Sequence, residues 1–361
     1  MVPQNVAALL DFYTQNRRDL PWRNTSDPYA ILVSEVMLQQ TQVEAVKGHF
    51  VRFTERFPTY ESLAQASLEE VLATWSGLGY YSRARRLWET AQALVACGGF
   101  PPSRDALAAL PGIGDYTSAA VASIAFGQPC VALDTNAIRV FARYYGVTED
   151  PARVAVRRRL VQAVQTAIPP ERAGDFTQAV MELGALVCRP RQPKCRQCPL
   201  RNGCLARRLG LAESIPPPRK KRETVDVLRV AAQVEQAGEL LLVRAPQGLF
   251  EKMWVPPSVD IDHPEAAEVK LEQLFSSWAR VRVGPLLGEV RHGITFRRIR
   301  CLVYQVELTA NGVAEGETRW VPRHRLADTP LPSFAHKVLR LTPPSDRSAR
   351  ASSPGSSRPR D

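Results

Sequence analysis

Cys188-Arg-Pro-Arg-Gln-Pro-Lys-Cys195-Arg-Gln-Cys198-Pro-Leu-Arg-Asn-Gly-Cys204 holds four of the seven cysteines of this chain within 17 positions. Six, two and five residues separate them in turn. In a reducing compartment, thiols crowded in this way favour a bound metal over disulfides. Four thiolates suit either tetrahedral zinc or a cubane iron-sulfur cluster. A zinc ribbon usually has two Cys-x2-Cys pairs and this run has one, so the spacing modestly favours the cluster.

The chain around this loop divides into two parts with different hydrophobic patterns. Over residues 1–213 apolar side chains recur three and four positions apart, which predicts an all-α domain. Residues 214–225 contain three prolines and four consecutive basic residues, so we expect a linker there. Alternating and β-branched runs over 226–341 predict an α+β domain. Residues 342–361 have almost nothing to bury, and we expect them to be disordered.

The balance of charge favours a polyanionic partner. Lys and Arg number 47 against 36 Asp and Glu, giving a net charge of +11. Such an excess attracts nucleic acid through counterion release and long-range steering, although part of it lies in the linker and the tail. No stretch reaches the roughly 18 apolar residues of a membrane span, and no signal peptide is evident, so we expect a cytoplasmic protein without a membrane partner.

A glycine-containing turn precedes the cysteines. Leu110-Pro-Gly112-Ile-Gly114-Asp-Tyr116-Thr117 predicts a tight connection between two helices, in which the glycines adopt positive φ angles. Amide groups in such a turn, followed by the N-terminus of a helix, can hold a phosphate. On its own, this pattern more often marks a plain connection between helices.

Two acidic residues stand at positions suited to catalysis. Asp134 lies between an apolar stretch and a helical pattern, where an aspartate commonly caps the helix N-terminus. Glu35 borders the apolar stripe of a helix, so burial would raise its pKa and let it act as a general acid near neutral pH. A glutamate in this setting is otherwise usually a solvated or ion-paired surface residue.

These motifs, in this order, resemble the MutY-type adenine DNA glycosylases of the endonuclease III superfamily. The stretches most similar in identity, order and spacing are Arg18-Asp-Leu-Pro-Trp-Arg23, Ser34-Glu-Val-Met-Leu-Gln-Gln-Thr41 and Gly77-Leu-Gly-Tyr-Tyr-Ser-Arg-Ala-Arg85. The resemblance is strong over residues 5–210 and weaker over 226–341. It implies a multidomain protein, with an all-α helix-hairpin-helix glycosylase domain (hairpin about 108–126) and a 4Fe-4S cluster loop at 188–204. An α+β Nudix-like domain follows.

The resemblance also implies a role for individual residues. Glu35 would protonate adenine at a ring nitrogen, and Asp134 would support the cationic sugar while water is added. Cys188, Cys195, Cys198 and Cys204 would bind the cluster, which presents basic residues to DNA and does not cleave the bond. The further implied contacts with the substrate or the DNA backbone are Arg18, Leu20, Trp22, Arg23, Leu38, Gln40, Tyr80, Gly112, Gly114, Tyr116, Asn136 and Gln178. For Trp22, Leu38 and Tyr80 plain core packing is the alternative.

The implied substrate is double-stranded DNA with adenine opposite 8-oxoguanine or guanine, acted on by a monomer associated with a bacterial nucleoid. Tyr116 stands where strand-cleaving relatives have a lysine nucleophile, so a monofunctional glycosylase is expected. Thr135 departs from the family glycine after the aspartate, whereas Asn136 is retained.

The C-terminal half carries the weaker match. It is based on Gly248-Leu-Phe-Glu-Lys-Met-Trp254-Val-Pro-Pro257 and on a strand entering His292. The glutamate-rich Nudix pattern is missing, which argues against pyrophosphate hydrolysis. Gly293-Ile-Thr295-Phe replaces the Phe-Ser-His loop of the family, so Thr295 supplies the only hydroxyl there for contacting 8-oxoguanine beside His292.

Two other functions remain open from the sequence. One is a different helix-hairpin-helix enzyme, such as a strand-cleaving endonuclease III or a thymine glycosylase. The other is a DNA-binding protein without enzymatic activity, stabilised by zinc at the four cysteines.

Overall fold

The computed structural model describes residues 1–218, 223–245, 248–311, 316–326 and 328–342. The chain forms two compact units, Met1–Val71 with Ser82–Lys220 and Leu72–Tyr81 with Lys221–Asp361. The expected order of an all-α part followed by an α+β part is confirmed. Most of the predicted linker is described, but its residues 219–222 and the predicted disordered tail beyond 342 lie outside the described residues.

The first unit is built of helices. In chain order they are α1 (Pro3–Asn16), α2 (Pro28–Leu38), α3 (Val43–Arg56), α4 (Tyr60–Gln65), α5 (Leu68–Thr74, continuing into the second unit), α6 (Ser82–Ala96), α7 (Arg104–Ala108), α8 (Asp115–Phe126), α9 (Thr135–Tyr145), α10 (Val154–Gln165), α11 (Ala173–Leu186) and α12 (Leu205–Arg208). A 3-10 turn at Pro21–Arg23 precedes α2. Among the described residues, no helix is both long and apolar enough to cross a membrane.

The core of this unit positions both Asp134 and the cysteine loop. Leu9 of α1, Phe141 of α9, and Phe176 and Leu183 of α11 are buried against one another. Because α9 begins directly after Asp134, its packing fixes that carboxylate, whose side chain caps the helix as predicted. The cysteine loop starts where α11 ends, and three of its thiols pack against the same core.

The glycine turn joins α7 to α8. Gly112 has a φ of +82°, and a Cβ there would lie 2.9 Å from both Cβ and the carbonyl oxygen of Arg86, so only glycine fits. The prediction of a positive φ was wrong for Gly114, which has a φ of −98° as the N-cap of α8. No atom of the described residues lies within 4 Å of a Cβ at position 114. Contacts with the described part of the chain therefore do not require glycine there.

The second unit is a sheet covered on both faces. Its strands are β1 (Val225–Gln236), β2 (Glu239–Arg244), β3 (Trp254–Val255), β4 (Ser258–Asp260), β5 (Ala279–Ile294), β6 (Arg297–Asn311) and β7 (Thr318–Pro322), and its helices are α13 (Ala267–Phe275) and α14 (Ser333–Leu339). The order is β3-β2-β1-β6-β5, with β4 paired to β1 and β7 to β2. Only β1 and β6 run parallel among the described pairs.

The alternating direction of the side chains along β1 explains why a helix covers each face of the sheet. Ala231 faces Phe334 of α14, whereas Val230 and Ala232 face Leu271 and Phe275 of α13. Because successive side chains of a strand point to opposite faces, an apolar central strand must be covered on both sides. The β-branched run that predicted this strand therefore lies at a central place in the sheet.

Candidate active site

A cavity of about 510 Å³ lies among α2, α8, α9 and α11 in the first unit. Its lining includes both predicted catalytic carboxylates, Glu35 and Asp134. The other predicted site residues that line it are Arg18, Leu20, Trp22, Arg23, Leu38, Gln40, Tyr116, Asn136 and Gln178. Residues far apart in the sequence thus meet around one space that lies in the usual size range of small-molecule sites.

Glu35 is a buried acid. Its side chain lies on α2 with 6% of the residue exposed, and the Tyr116 hydroxyl donates a hydrogen bond to its Oε2. Burial raises the pKa of Glu35 to about 7; Asp134 adds to the rise, while the Tyr116 bond and Arg23 oppose it. A carboxyl group with this pKa is partly protonated at neutral pH and can donate a proton.

Asp134 is held in a fixed orientation. The backbone N–H of Ala137 donates to Oδ1 at 2.6 Å, and the side-chain amide of Asn136 donates to Oδ2 at 2.9 Å. The first bond satisfies a free amide at the start of α9. Asp134 therefore both caps the N-terminus of α9 and lines the cavity.

Arg139 links Asn136 to the cysteine loop. Its Nη2 donates to Asn136 Oδ1 at 2.7 Å and to the Gly184 carbonyl oxygen at 2.9 Å, and its Nε donates to the Cys188 carbonyl oxygen at 2.7 Å. α9 and α11 are in close contact here, since a Cβ at Gly184 would lie 2.6 Å from the Cβ of Asn136. Hydrogen bonds therefore run without a break from the cysteine loop to Asp134.

Glu182 is a site residue that sequence reasoning missed. It is fully buried on α11 and accepts from Arg18 Nε at 2.8 Å and Nη2 at 2.9 Å, and from Arg23 Nη2. Burial alone would raise the pKa of Glu182, but these two arginines outweigh it and hold the pKa at about 2. An acidic residue within the apolar sequence of α11 could have indicated a buried ion pair from the sequence alone. Its partners, 164 and 159 residues away, were not readable from local pattern.

Arg83 organises the end of α2. It is buried, and its Nη1 donates to the carbonyl oxygens of Val36 and Met37 at 2.9 Å each and to that of Gln39, while Nη2 reaches Thr41 Oγ1 at 3.0 Å. These carbonyls have no partner within the helix, so the guanidinium caps its C-terminus. Gln40, which follows Gln39 after the end of α2, lines the cavity. Its backbone has a left-handed φ of +57°.

The four cysteines line one small cavity with Arg143. Arg143 Nη1 donates to Cys188 Sγ at 3.4 Å and to the Arg189 carbonyl oxygen at 2.7 Å. Within the described residues, no three His, Cys, Asp or Glu side chains converge as one metal ion requires. Four soft thiols around a shared space are a donor set suited to tetrahedral zinc or to an iron-sulfur cluster.

Apart from the four cysteines, five predicted residues lie outside the lining of the cavity that contains Glu35 and Asp134. Gly112 and Gly114 form the hairpin turn of the first unit, whereas Tyr80, His292 and Thr295 belong to the second unit. Thr295 sits between β5 and β6 with a φ of +55°, an unusual angle for a β-branched residue. Burial lowers the pKa of His292, whose ring lies 5.9 Å from that of Phe334.

Fold and site together define a base-excision DNA glycosylase of the helix-hairpin-helix type with a Nudix-like second domain. Residues 33–166 match the HhH-GPD superfamily of base excision DNA repair proteins, and residues 229–341 match the NUDIX domain. The human adenine DNA glycosylase is 36% identical over 92% of this chain and 73% of its own length. The rat adenine DNA glycosylase is 35% identical over 97% of this chain and 80% of its own. The chain belongs to the adenine DNA glycosylase family.

A solved structure supports the fold of the first unit. A thermostable thymine-DNA glycosylase superposes with a TM-score of 0.51 and 31% sequence identity, covering 56% of this chain and 95% of that one. The helix-hairpin-helix architecture expected from the sequence is therefore confirmed.

Proposed function

We propose that the protein excises adenine paired with 8-oxoguanine or guanine in duplex DNA by hydrolysing the N-glycosidic bond. The observation that carries the proposal is the meeting of Glu35 and Asp134 in one cavity, with the pKa of Glu35 raised to about 7. The names of the human and rat relatives favour adenine as the base that is released. The positive charge of the chain suits a duplex partner.

The two carboxyl groups divide the reaction between them. Adenine must leave the stack to reach the cavity. Protonated Glu35 then donates its proton to a ring nitrogen of adenine, and the electrons of the C1′–N9 bond go to the departing base. Asp134 stabilises the positive charge on the sugar until water adds to C1′ and releases a proton, as in glycoside hydrolysis by paired carboxylates.

The lining of the cavity supports hydrolysis without strand cleavage. Forming a Schiff base with the sugar requires an amine nucleophile. The described residues of the lining include three arginines but no lysine, and Tyr116 uses its hydroxyl to bind Glu35. We therefore assign the protein to the monofunctional glycosylases.

The cysteine loop would hold a 4Fe-4S cluster through Cys188, Cys195, Cys198 and Cys204. The bound cluster supplies a rigid cross-link for a loop that has little core of its own. Exposed Lys194, Arg196 and Arg201 would then be held in place for the DNA backbone. This is a structural contribution, since the cysteines do not line the cavity that contains Glu35 and Asp134.

The second unit would inspect the base opposite adenine. It matches the NUDIX domain, although its sequence lacks the glutamate pattern needed for pyrophosphate hydrolysis. A cavity beside His292 is rimmed by Arg291, Arg298 and Arg300, which suits a nucleic-acid strand. Thr295 stands at the adjacent hairpin tip and offers a hydroxyl to the damaged base.

The decisive experiment measures base release under single-turnover conditions from duplexes that pair adenine with 8-oxoguanine, guanine or thymine. We expect fast release from the first, slower release from the second and little from the third. Glu35→Gln should abolish release, whereas the exposed control Glu55→Gln should not. A duplex with thymine opposite guanine tests the thymine glycosylase alternative, and strand nicking without alkali would reveal a lyase. An active Glu35→Gln protein would overturn the mechanism.

A further inference from the structure

Arg157 occupies a position on the rim of the cavity that the reaction described above does not use. It lies on α10, is half-buried, and lines the cavity that contains Glu35 and Asp134. Its Nη2 donates to the carbonyl oxygen of Leu133 at 3.3 Å. Because Leu133 directly precedes Asp134, the guanidinium lies beside the residue that supports the cationic sugar.

Among the cationic side chains of the described lining, Arg157 is the one that has no carboxylate partner. Arg18 and Arg23, the other two lining cations, both bind Glu182. Among the described residues, Arg157 bonds only to a carbonyl oxygen and has no acidic partner. By contrast, Arg159 on the same helix pairs with Glu149.

An uncompensated cation at this point opposes the reaction unless an anion joins it. The sugar gains positive charge in the transition state, and a nearby guanidinium would raise the energy of that charge. Duplex DNA supplies the missing anion, because a phosphodiester flanks the extruded nucleotide on each side. A guanidinium binds such a group with two parallel hydrogen bonds.

We propose that Arg157 binds a backbone phosphate directly next to the extruded adenosine. The proposal depends on the proposed function and adds a contact that holds the sugar against Asp134. Once the phosphate neutralises Arg157, the guanidinium no longer opposes the positive charge that develops on the sugar beside Asp134. Arg157 is thereby a positioning residue for the substrate, and its ligand is a phosphodiester oxygen.

The competing role for Arg157 is purely structural, as a brace for the Leu133 carbonyl. A loss of activity alone would not separate the two roles, so the phosphate must be changed as well. Duplexes with a single methylphosphonate, placed on either side of the target adenosine or several nucleotides away, remove one charge at a time. A 2′-fluoro adenosine in place of the target prevents hydrolysis while affinity is measured.

The variants are Arg157→Gln and Arg157→Lys, with Arg158→Gln as the matched control. Arg158 is the next residue of the same helix, is exposed, and does not line the cavity. We expect the wild type and Arg158→Gln to lose about tenfold in affinity when a flanking phosphate is neutralised. Arg157→Gln should bind about tenfold less tightly at the start and lose little more. Arg157→Lys should recover part of the response.

The salt dependence provides a second measure. Arg157→Gln should lower the slope of log affinity against log salt by about one phosphate contact. Base release by the wild type from unmodified duplexes is measured first, and its absence overturns the proposed function together with this inference. If release occurs but Arg157→Gln responds to both flanking methylphosphonates as the wild type does, only the assignment of Arg157 is overturned.

Discussion

The carbonyl oxygen of Cys188 and the side chain of Asn136 accept hydrogen bonds from a single guanidinium, that of Arg139, at 2.7 Å each. Asn136 in turn donates to Asp134. A displacement of the cysteine loop must therefore reach Asp134 or break a partly buried hydrogen bond. A buried polar group left without a partner costs about 1–3 kcal/mol, so the connection is stiff.

Arg139→Gln tests this connection. The variant should release adenine about 10 to 100 times more slowly, because Asp134 loses the support of its orientation. Its melting temperature should also fall, since the four oxygen atoms that accept hydrogen bonds from Arg139 lose their donor. The combination of Arg139→Gln with Asn136→Ala should be little worse than the slower single variant, because both act on Asp134. Additive losses in that cycle would contradict the link. Arg172→Gln, an exposed arginine paired with Asp175, is the control.

The rate of base release should depend on pH through Glu35. An acid with a pKa of about 7 loses its proton as the pH rises, so the single-turnover rate should fall about tenfold per pH unit above 7. The measurement is a pH series from 5.5 to 9 on one duplex, with affinity followed in parallel. A rate that is constant across this range would show that Glu35 is not the proton donor.

Glu35 should also reduce stability at high pH. Its pKa is about 7 in the folded protein against an ordinary value of 4.5, so the folded state binds more protons between these values. Stability is therefore greatest at low pH in this window and decreases as the pH rises through 7, by about 3 kcal/mol in total. Glu35→Gln removes this dependence. We expect its melting temperature to exceed that of the wild type at pH 8 and to differ little at pH 5. Equal shifts at both pH values would refute the explanation.

Arg83 should act through the turn that contains Gln40. Arg83→Lys keeps the charge but has fewer donors for the end of α2, so Gln40 should be presented less accurately. We expect a smaller ratio of release opposite 8-oxoguanine to release opposite guanine, while the melting temperature falls by a few degrees. Gln40→Ala should lower the same ratio, and the double variant should lower it no further. If the double variant lowered the ratio by the product of the two single effects, Arg83 and Gln40 would have independent roles.

Metal analysis tests the cysteine loop. Protein purified without oxygen should contain about four iron atoms and equal sulfide per chain, and Cys198→Ser should lose most of both along with thermal stability. Cys97→Ser is the control, because Cys97 is exposed and lies outside the loop. One zinc per chain and no iron would instead support the zinc-stabilised alternative.

Local sequence patterns were sufficient for much of the fold. Asp134 was readable as an N-cap, which placed the start of α9 directly after it. The long strands β1 and β6 were visible as β-branched runs. The short strands β3, β4 and β7 were not, since two to five residues give too little pattern and depend on their partners.

The site was harder to predict wherever contacts are long-range. Glu35 and Asp134 could be named from motifs, but only the packing of α2 against α8 buries Glu35 enough to raise its pKa. Glu182 and Arg157 escaped notice because their significance depends on neighbours supplied by other helices. Gly114 shows the reverse error, since a glycine suggested an unusual φ angle that the backbone does not adopt.

The absence of a side chain at Gly184 sets a limit on how this protein can change. Even an alanine there would overlap Asn136 at 2.6 Å, so the two helices would have to separate. Separation would move the start of α9 away from the cavity while leaving every reacting group chemically intact. A substitution at Gly184 should therefore produce an enzyme that keeps its fold and its DNA affinity, but whose Asp134 no longer lies in the correct position for the reaction.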